Sequence, residues 1–219
     1  MNSELSRLYY RETIQGSGVG EGKVIRRRGG IGVYANVRVA VCALKPGEGT
    51  AFIWKAGSAM PAEFAPAIFE GIQRALHAGV LAGLEVTDIC TTIEDGSYHE
   101  VDSTADAFRE AAEIAVTEAI RKASPIVLEA VSTVTVSVPD VLSESVELTL
   151  ASRGGRAKVL PSEHEIKSFS AIVLSEKLSE LIAELLRVSS GSAQISSCSA
   201  GFRPRPDPPD TIEQWVASS

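Results

Sequence analysis

The residues of this chain best able to do chemistry gather in two places. Arg26-Arg27-Arg28 runs straight into Gly29-Gly30-Ile31-Gly32, and Gly96-Ser97-Tyr98-His99-Glu100-Val101-Asp102-Ser103 packs hydroxyl, imidazole and carboxylate groups into eight positions. Guanidinium groups pair bidentately with phosphate, and glycines let a backbone approach a nucleic-acid surface closely. Arg26, Arg27 and Arg28 are therefore read as phosphate contacts. The second run has the residue types of a Ser-His-Asp hydrolase. Such a triad draws its members from separated segments around an oxyanion hole, whereas this is one local loop with no nucleophile elbow. No catalytic residue is assigned. An imidazole can still donate to a phosphate or a ribose hydroxyl, whether neutral or charged.

Other candidates fail on spacing. Gly16-Ser17-Gly18-Val19-Gly20-Glu21-Gly22-Lys23 suggests a phosphate loop, but G-x-x-x-x-G-K-[ST] would need Gly where Ser17 stands and a hydroxyl where Val24 stands. The cluster is read instead as a flexible loop between strands, and no nucleotide cofactor is expected. His77 lies near a helix end, and His164 stands between Glu163 and Glu165 in an expected loop. Cys42, Cys90 and Cys198 are far apart in the chain, with no close Cys or His pair. That spacing argues against a zinc site and against a disulfide framework, so no metal is expected. No aromatic platform of the kind that stacks single-stranded bases is evident.

The elements that must hold these residues are legible from composition and period. The 219 residues are 44% apolar and 22% charged, enough for one large domain or two smaller ones. Aromatics are only 5%, so aliphatic side chains must fill the core. No apolar run approaches the roughly 20 residues of a membrane span, and Met1-Asn2-Ser3-Glu4 does not open a secretion signal. A cytoplasmic protein without membrane or DNA partners is expected. The net charge of −7 is uneven. Residues 1–55 hold nine Lys or Arg against four Glu (+5), and the remainder hold twelve basic against twenty-four acidic groups (−12). Screening over roughly 8–10 Å lets the basic end act separately.

Strands are expected over 8–14, 23–28, 33–44, 52–54 and 86–93, with a turn at Gly29 to Gly32 and a polar loop from Glu94 to Asp102. Phe64, Ala67, Ile68, Gly71, Ile72, Ala75 and Leu76 form one helical stripe that Gly79 should end. Ser103 followed by Asp106 resembles a capping box at the head of a helix running to about Ala123. Beyond Pro125 the order is a strand at 131–138, a helix at 141–152 ended by Gly154-Gly155, two strands within 156–173, a helix around 178–186 and a strand at 193–202. That is β-α-β-β-α-β, the split ferredoxin-like arrangement. The reading is thus α/β (α+β) in two domains, residues 1–124 and 125–203, followed by a Pro-rich tail at 204–219.

The motifs over residues 9–130 resemble, in order, the C-terminal part (domains IV and V) of translation elongation factor G. Tyr10-Arg11-Glu12-Thr13-Ile14 is similar to the entry strand of its domain IV, and Gly29-Gly30-Ile31-Gly32-Val33-Tyr34 to its G-G-R-G-Q-[YF] loop. Pro61-Ala62-Glu63-Phe64-Ala65-Pro66-Ala67 with Gly71-Ile72 resembles the family's first helix, and Gly79-Val80-Leu81-Ala82-Gly83 its following turn. Asp95 to Ser103 is nearly its D-G-S-Y-H-[ED]-V-D-S loop. Ile31 and Val33 replace the usual arginine and glutamine. Towards domain V the likeness thins: Val127-Leu128-Glu129 followed by Val134 to Pro139 still resembles its start, and Ala151 to Arg156 faintly resembles a helix end.

The resemblance implies a domain IV-like βαβ sandwich followed by a ferredoxin-like domain, without a GTPase of its own and not an enzyme. It also implies a ribosome partner. The family's domain IV tip enters the decoding region beside A-site tRNA and messenger RNA during translocation, and its domain V contacts ribosomal RNA. Here that tip would comprise Gly29, Gly30, Gly32, Ser97, Tyr98, His99, Asp102 and Ser103. A separate GTPase chain is a possible partner. A protein-interaction or ribosome-protection module that no longer binds ribosomal RNA is the alternative.

Overall fold

The computed structural model describes residues 7–28, 31–57, 60–153, 157–161 and 165–206. Two compact units emerge: residues 1–128 with 204–219, and residues 129–203.

In the first unit, β1 (Tyr10–Ile14) is followed by β2 (Ser17–Arg28), β3 (Ile31–Ala43) and β4 (Thr50–Trp54). Then come α1 (Ala65–Ala78), β5 (Ile89–Ser97) and α2 (Ala105–Lys122), and β6 (Pro125–Pro139) begins. The sheet order is β2-β3-β5-β4. β2/β3 and β3/β5 pair antiparallel, whereas β4/β5 pair parallel. Val24 on β2, and Ala35, Val37, Val39 and Val41 on β3, turn inward at every second position, as a strand with one covered face requires. They pack with the apolar stripes of α1 (Ile68, Ile72, Leu76) and α2 (Phe108, Ala112, Val116, Ile120). The expected α1 stripe is the buried one, and Gly79, at φ +73°, closes the helix by donating to the Ala75 carbonyl. That left-handed backbone suits glycine.

The glycine run departs from expectation. Residues 17–28 form one continuous strand, not a flexible loop followed by a short strand. Gly18, Gly20 and Gly22 lie on α2 with no room for a side chain. A Cβ at these positions would stand 2.1, 2.0 and 1.8 Å from the carbonyl oxygens of Ala119, Ala115 and Ala111. Two strand residues advance about 6.7 Å and four helix residues about 6 Å, so the glycine and alanine rows keep step over this length. Glycine's local cost in a strand is offset by this backbone contact, which propensity alone does not reveal.

Two boundaries also shift. β5 continues through Ser97, into the stretch expected to be loop, while Val86 makes only an isolated bridge with Glu12. The cap of α2 is Thr104, whose side chain accepts from the Ala107 amide, and not Ser103.

The second unit holds the rest of β6, α3 (Ser143–Ser152), β7 (Lys158–Leu160), β8 (Ile166–Leu174), α4 (Leu178–Val188) and β9 (Gln194–Pro204). β9 pairs with β6, β6 with β8 and β8 with β7, which is the strand order of the ferredoxin-like split βαβ. Val134, Val136 and Val138 on β6 meet Phe169, Ala171, Leu181 and Leu185 in its core. Gly154, Gly155, His164 and residues 207–219 of the expected tail lie outside the described residues. Among the described residues no helix is long and apolar enough to cross a membrane.

The glycine row yields a stability prediction. Gly20→Ala drives a methyl into helix backbone and is expected to destabilise by about 3 kcal/mol. Gly16→Ala, whose Cβ would meet only the Ala123 carbonyl oxygen at 3.7 Å, should stay within about 0.5 kcal/mol. Urea unfolding midpoints of the two variants decide this.

Candidate functional site

The site grows from the ends of three elements. β3 starts at Ile31 as the partner of Arg28, β5 ends at Ser97, and α2 begins at Ala105. Because β3 and β5 are antiparallel neighbours, with Asn36 opposite Ser97, the start of one lies beside the end of the other. Residues 32–34 and 97–103 are thereby brought together.

Tyr34 is the hub. Its amide donates to the Asp102 carbonyl at 2.9 Å, and its hydroxyl lies 2.6 Å from Ser97 Oγ. Ser103 Oγ donates to the Tyr34 carbonyl (2.8 Å) and accepts from the His99 amide (2.9 Å). The His99 carbonyl accepts from the amides of Asp102 (3.2 Å) and Ser103 (3.0 Å), turning the loop back towards α2. Gly32 sits against Asp102: a Cβ there would stand 2.5 Å from its carboxylate. The same carboxylate lies 3.5 Å from His99 Nδ1.

This network fixes the loop's backbone and leaves its apex outside. Tyr98, His99, Glu100 and Val101 are all exposed, Val101 at 82%. The serine hydroxyls are engaged with Tyr34 and with backbone, so the loop presents donors and shape and no activated nucleophile. A shallow cavity of about 160 Å³ adjoins it, lined by Glu21, Asn36, Arg38, Asp95, Gly96 and Ser97.

The expected tip residues Gly32, Ser97, Tyr98, His99, Asp102 and Ser103 are thus neighbours. Gly29, Gly30 and the side chain of Arg28 lie outside the described residues. The arginines differ from one another. Arg26 shares the inward face with Val24 and forms an ion pair with Glu110 of α2. Arg27, opposite Gly32, is exposed. Behind the site, Arg109 bridges α2 to Glu70 of α1 at 2.8 Å. That hydrogen bond, helped by the charges of Arg109 and Arg74, holds the Glu70 carboxyl below the usual carboxylate range. Tyr34 escapes a residue-by-residue reading as a site member. The signal that finds it is its place in β3, two residues beyond the turn, which only the β3/β5 pairing makes meaningful.

Ser103→Ala removes the hydroxyl's bond to the Tyr34 carbonyl on β3 and its bond from the His99 amide within the loop. Expected are a loss of about 1–2 kcal/mol in thermal or urea unfolding and faster amide exchange at His99, with the interior amides of α2 still protected. Unchanged exchange at His99 would show that the serine does not hold the loop.

A family model described as elongation factor G, domain IV, matches residues 6–124. A crystal structure of a protein from Thermus thermophilus aligns with 96% of this chain at a TM-score of 0.84 and 30% identity. The chain spans 32% of that protein's length. The family match takes in more than half of the chain, including β2, β3, β5, α2 and every residue of the hydrogen-bonded end. This chain belongs to the elongation factor G domain IV family.

Proposed function

We propose that this elongation factor G-like chain binds the ribosome in the cytoplasm and that the end built from Gly32, Tyr34 and residues 97–103 is its contact with RNA in the decoding region. The observation that carries the reading is the division within the 97–103 loop. Its backbone is tied to β3 through Tyr34 and Ser103, while Tyr98, His99 and Val101 are displayed outward. A loop that acts by insertion needs a fixed frame and exposed hydrogen-bonding groups, and this one has both. His99 can donate from its ring to phosphate or ribose, with Tyr98 offering a stacking face. Gly29 and Gly30, which follow β2 in the sequence, join the same contact.

Arg27 adds electrostatic attraction without sequence preference, while Arg26 must exchange Glu110 for a phosphate. Arg28 is the third cation of the run. The contact sits beside messenger RNA and A-site tRNA, with ribosomal RNA around it. No bond chemistry is assigned to these residues. Any GTP-driven step belongs to a GTPase outside them, in the same or a separate polypeptide.

Cosedimentation with ribosomes, with and without A-site tRNA, tests the reading. Expected are binding that A-site tRNA competes away and a clear loss with His99→Ala. Replacing Arg27 by alanine should flatten the log–log salt dependence by roughly 0.7–0.9, and replacing Arg26 by less, because Glu110 is then released. Binding indifferent to A-site tRNA would move the contact to another surface.

A further inference from the structure

We infer that Cys42 and Cys90 form a cross-strand dithiol, a modification site at which a small-molecule disulfide such as oxidised glutathione is reduced while the two cysteines join. The cysteines are 48 positions apart in the sequence, and the β3/β5 register makes them direct Cα partners. Two residues further on, the Leu44 amide donates to the Asp88 carbonyl at 2.9 Å. Hydrogen-bonded and non-hydrogen-bonded pairs alternate along an antiparallel ladder, so Cys42 and Cys90 are a hydrogen-bonded pair as well. Cα atoms of such a pair stand about 5.5 Å apart, within the separation a disulfide takes. Their Cβ atoms stand roughly 5 Å apart, wider than a relaxed disulfide prefers. The bond should therefore form with strain and be readily reduced, as labile disulfides are.

The two thiols are also placed for different tasks. Cys42 is exposed and faces away from the inward row of Val37, Val39 and Val41. Cys90 is buried, directly across the strand from Cys42. Burial first, and then the neighbouring Cys42, pushes the Cys90 thiol up, so it stays protonated while Cys42 meets the reagent. The Cys42 thiolate attacks one sulfur of the oxidised reagent, forming a mixed disulfide and releasing one thiolate. Cys90 then gives its proton to solvent and attacks the Cys42 sulfur, expelling the second thiolate. Two protein S–H bonds become one S–S bond, and one reagent disulfide becomes two thiols. The bond would staple β3 to β5 at the ends remote from Tyr34 and Ser97.

The test uses the full chain carrying Cys198→Ser, so that only these two thiols remain. After treatment with oxidised glutathione, acid quenching and alkylation, the intact mass should show the loss of two hydrogens with no glutathione added. Peptide mapping should link residues 42 and 90, and excess reduced glutathione should restore both thiols. Cys42→Ser should abolish the reaction. Cys90→Ser should stop it at a stable mixed disulfide, and if that buried variant does not fold, the exposed Cys42→Ser variant is the control. A persistent mixed disulfide at Cys42 with Cys90 still free, or reactivity seen only in denaturant, would overturn the inference. Ribosome binding is not involved in the readout, so either result leaves the functional proposal where it stands.

Discussion

The whole first unit turns on a contact between two backbones. β2 lies on α2 at a distance that only residues without a side chain allow, because Gly18, Gly20 and Gly22 face the carbonyls of Ala119, Ala115 and Ala111. Each glycine in a strand costs roughly 0.5–1 kcal/mol against alanine, and the row is retained because nothing larger fits. The consequence is positional. β2 carries β3 through a ladder in which Ser17 pairs with Cys42 at one end and Arg28 with Ile31 at the other. The place of β2 on α2 therefore fixes where Tyr34 lies relative to Ser103, immediately before the Thr104 cap. The Arg26–Glu110 ion pair falls two inward positions beyond Gly22, past Val24, and extends the same alignment towards the site.

A second constraint holds α1 from its far end. Glu12 is fully buried, a position that would be costly for a carboxylate without partners. One oxygen accepts from the amides of Val80 and Leu81 at 2.7 and 3.0 Å, and the other from Ala82 and Leu84 at 2.7 and 3.1 Å. Four backbone N–H groups of the turn that follows α1 are thus satisfied by one side chain from β1. Gly79 lets the chain turn tightly enough to present them, since a Cβ there would meet the Leu84 carbonyl oxygen at 2.2 Å. The entry strand and the turn after the first helix, two motifs remote in sequence, are the two halves of one interaction.

What the sequence could disclose follows the range of each cause. The stripes of α1 and α2 are set by a period within one element, and the buried residues are the ones the period selects. Ser103 and Thr104 both carry a hydroxyl that can cap α2. The choice between them is made by Tyr34, 69 positions from Ser103, whose carbonyl accepts the Ser103 hydroxyl's hydrogen bond. The strand character of Glu94 to Ser97 is hidden by polarity, which is tolerable because that end of β5 is open to solvent and passes a bulge between Arg38 and Val39. The glycine row misleads for the reverse reason, its cost being local and its gain tertiary. The loop residues of the site are legible through resemblance, but neither the hub role of Tyr34 nor the pairing of Arg26 with Glu110 has a local signature.

The charge pattern shows what sort of contact this end can make. A run of arginines suggests a strongly cationic surface, yet Arg26 is paired with Glu110 and Arg38 with Glu94. Exposed ion pairs of this kind add little stability, but each cancels the far field of its cation. Attraction over a distance then rests on few groups, with Arg27 among them. In the proposed contact, discrimination comes at close range, from the shape of the 97–103 loop and the donors on Tyr98 and His99. The hydrogen-bond network suits that demand. It uses the hydroxyls and backbone groups that flexible loops leave to water, so under the proposed function the loop's backbone need not be ordered again on binding, which lowers the entropic cost. Rigidity at the base and exposure at the apex come from the same few residues, and Tyr34 and Ser103 are where the two meet.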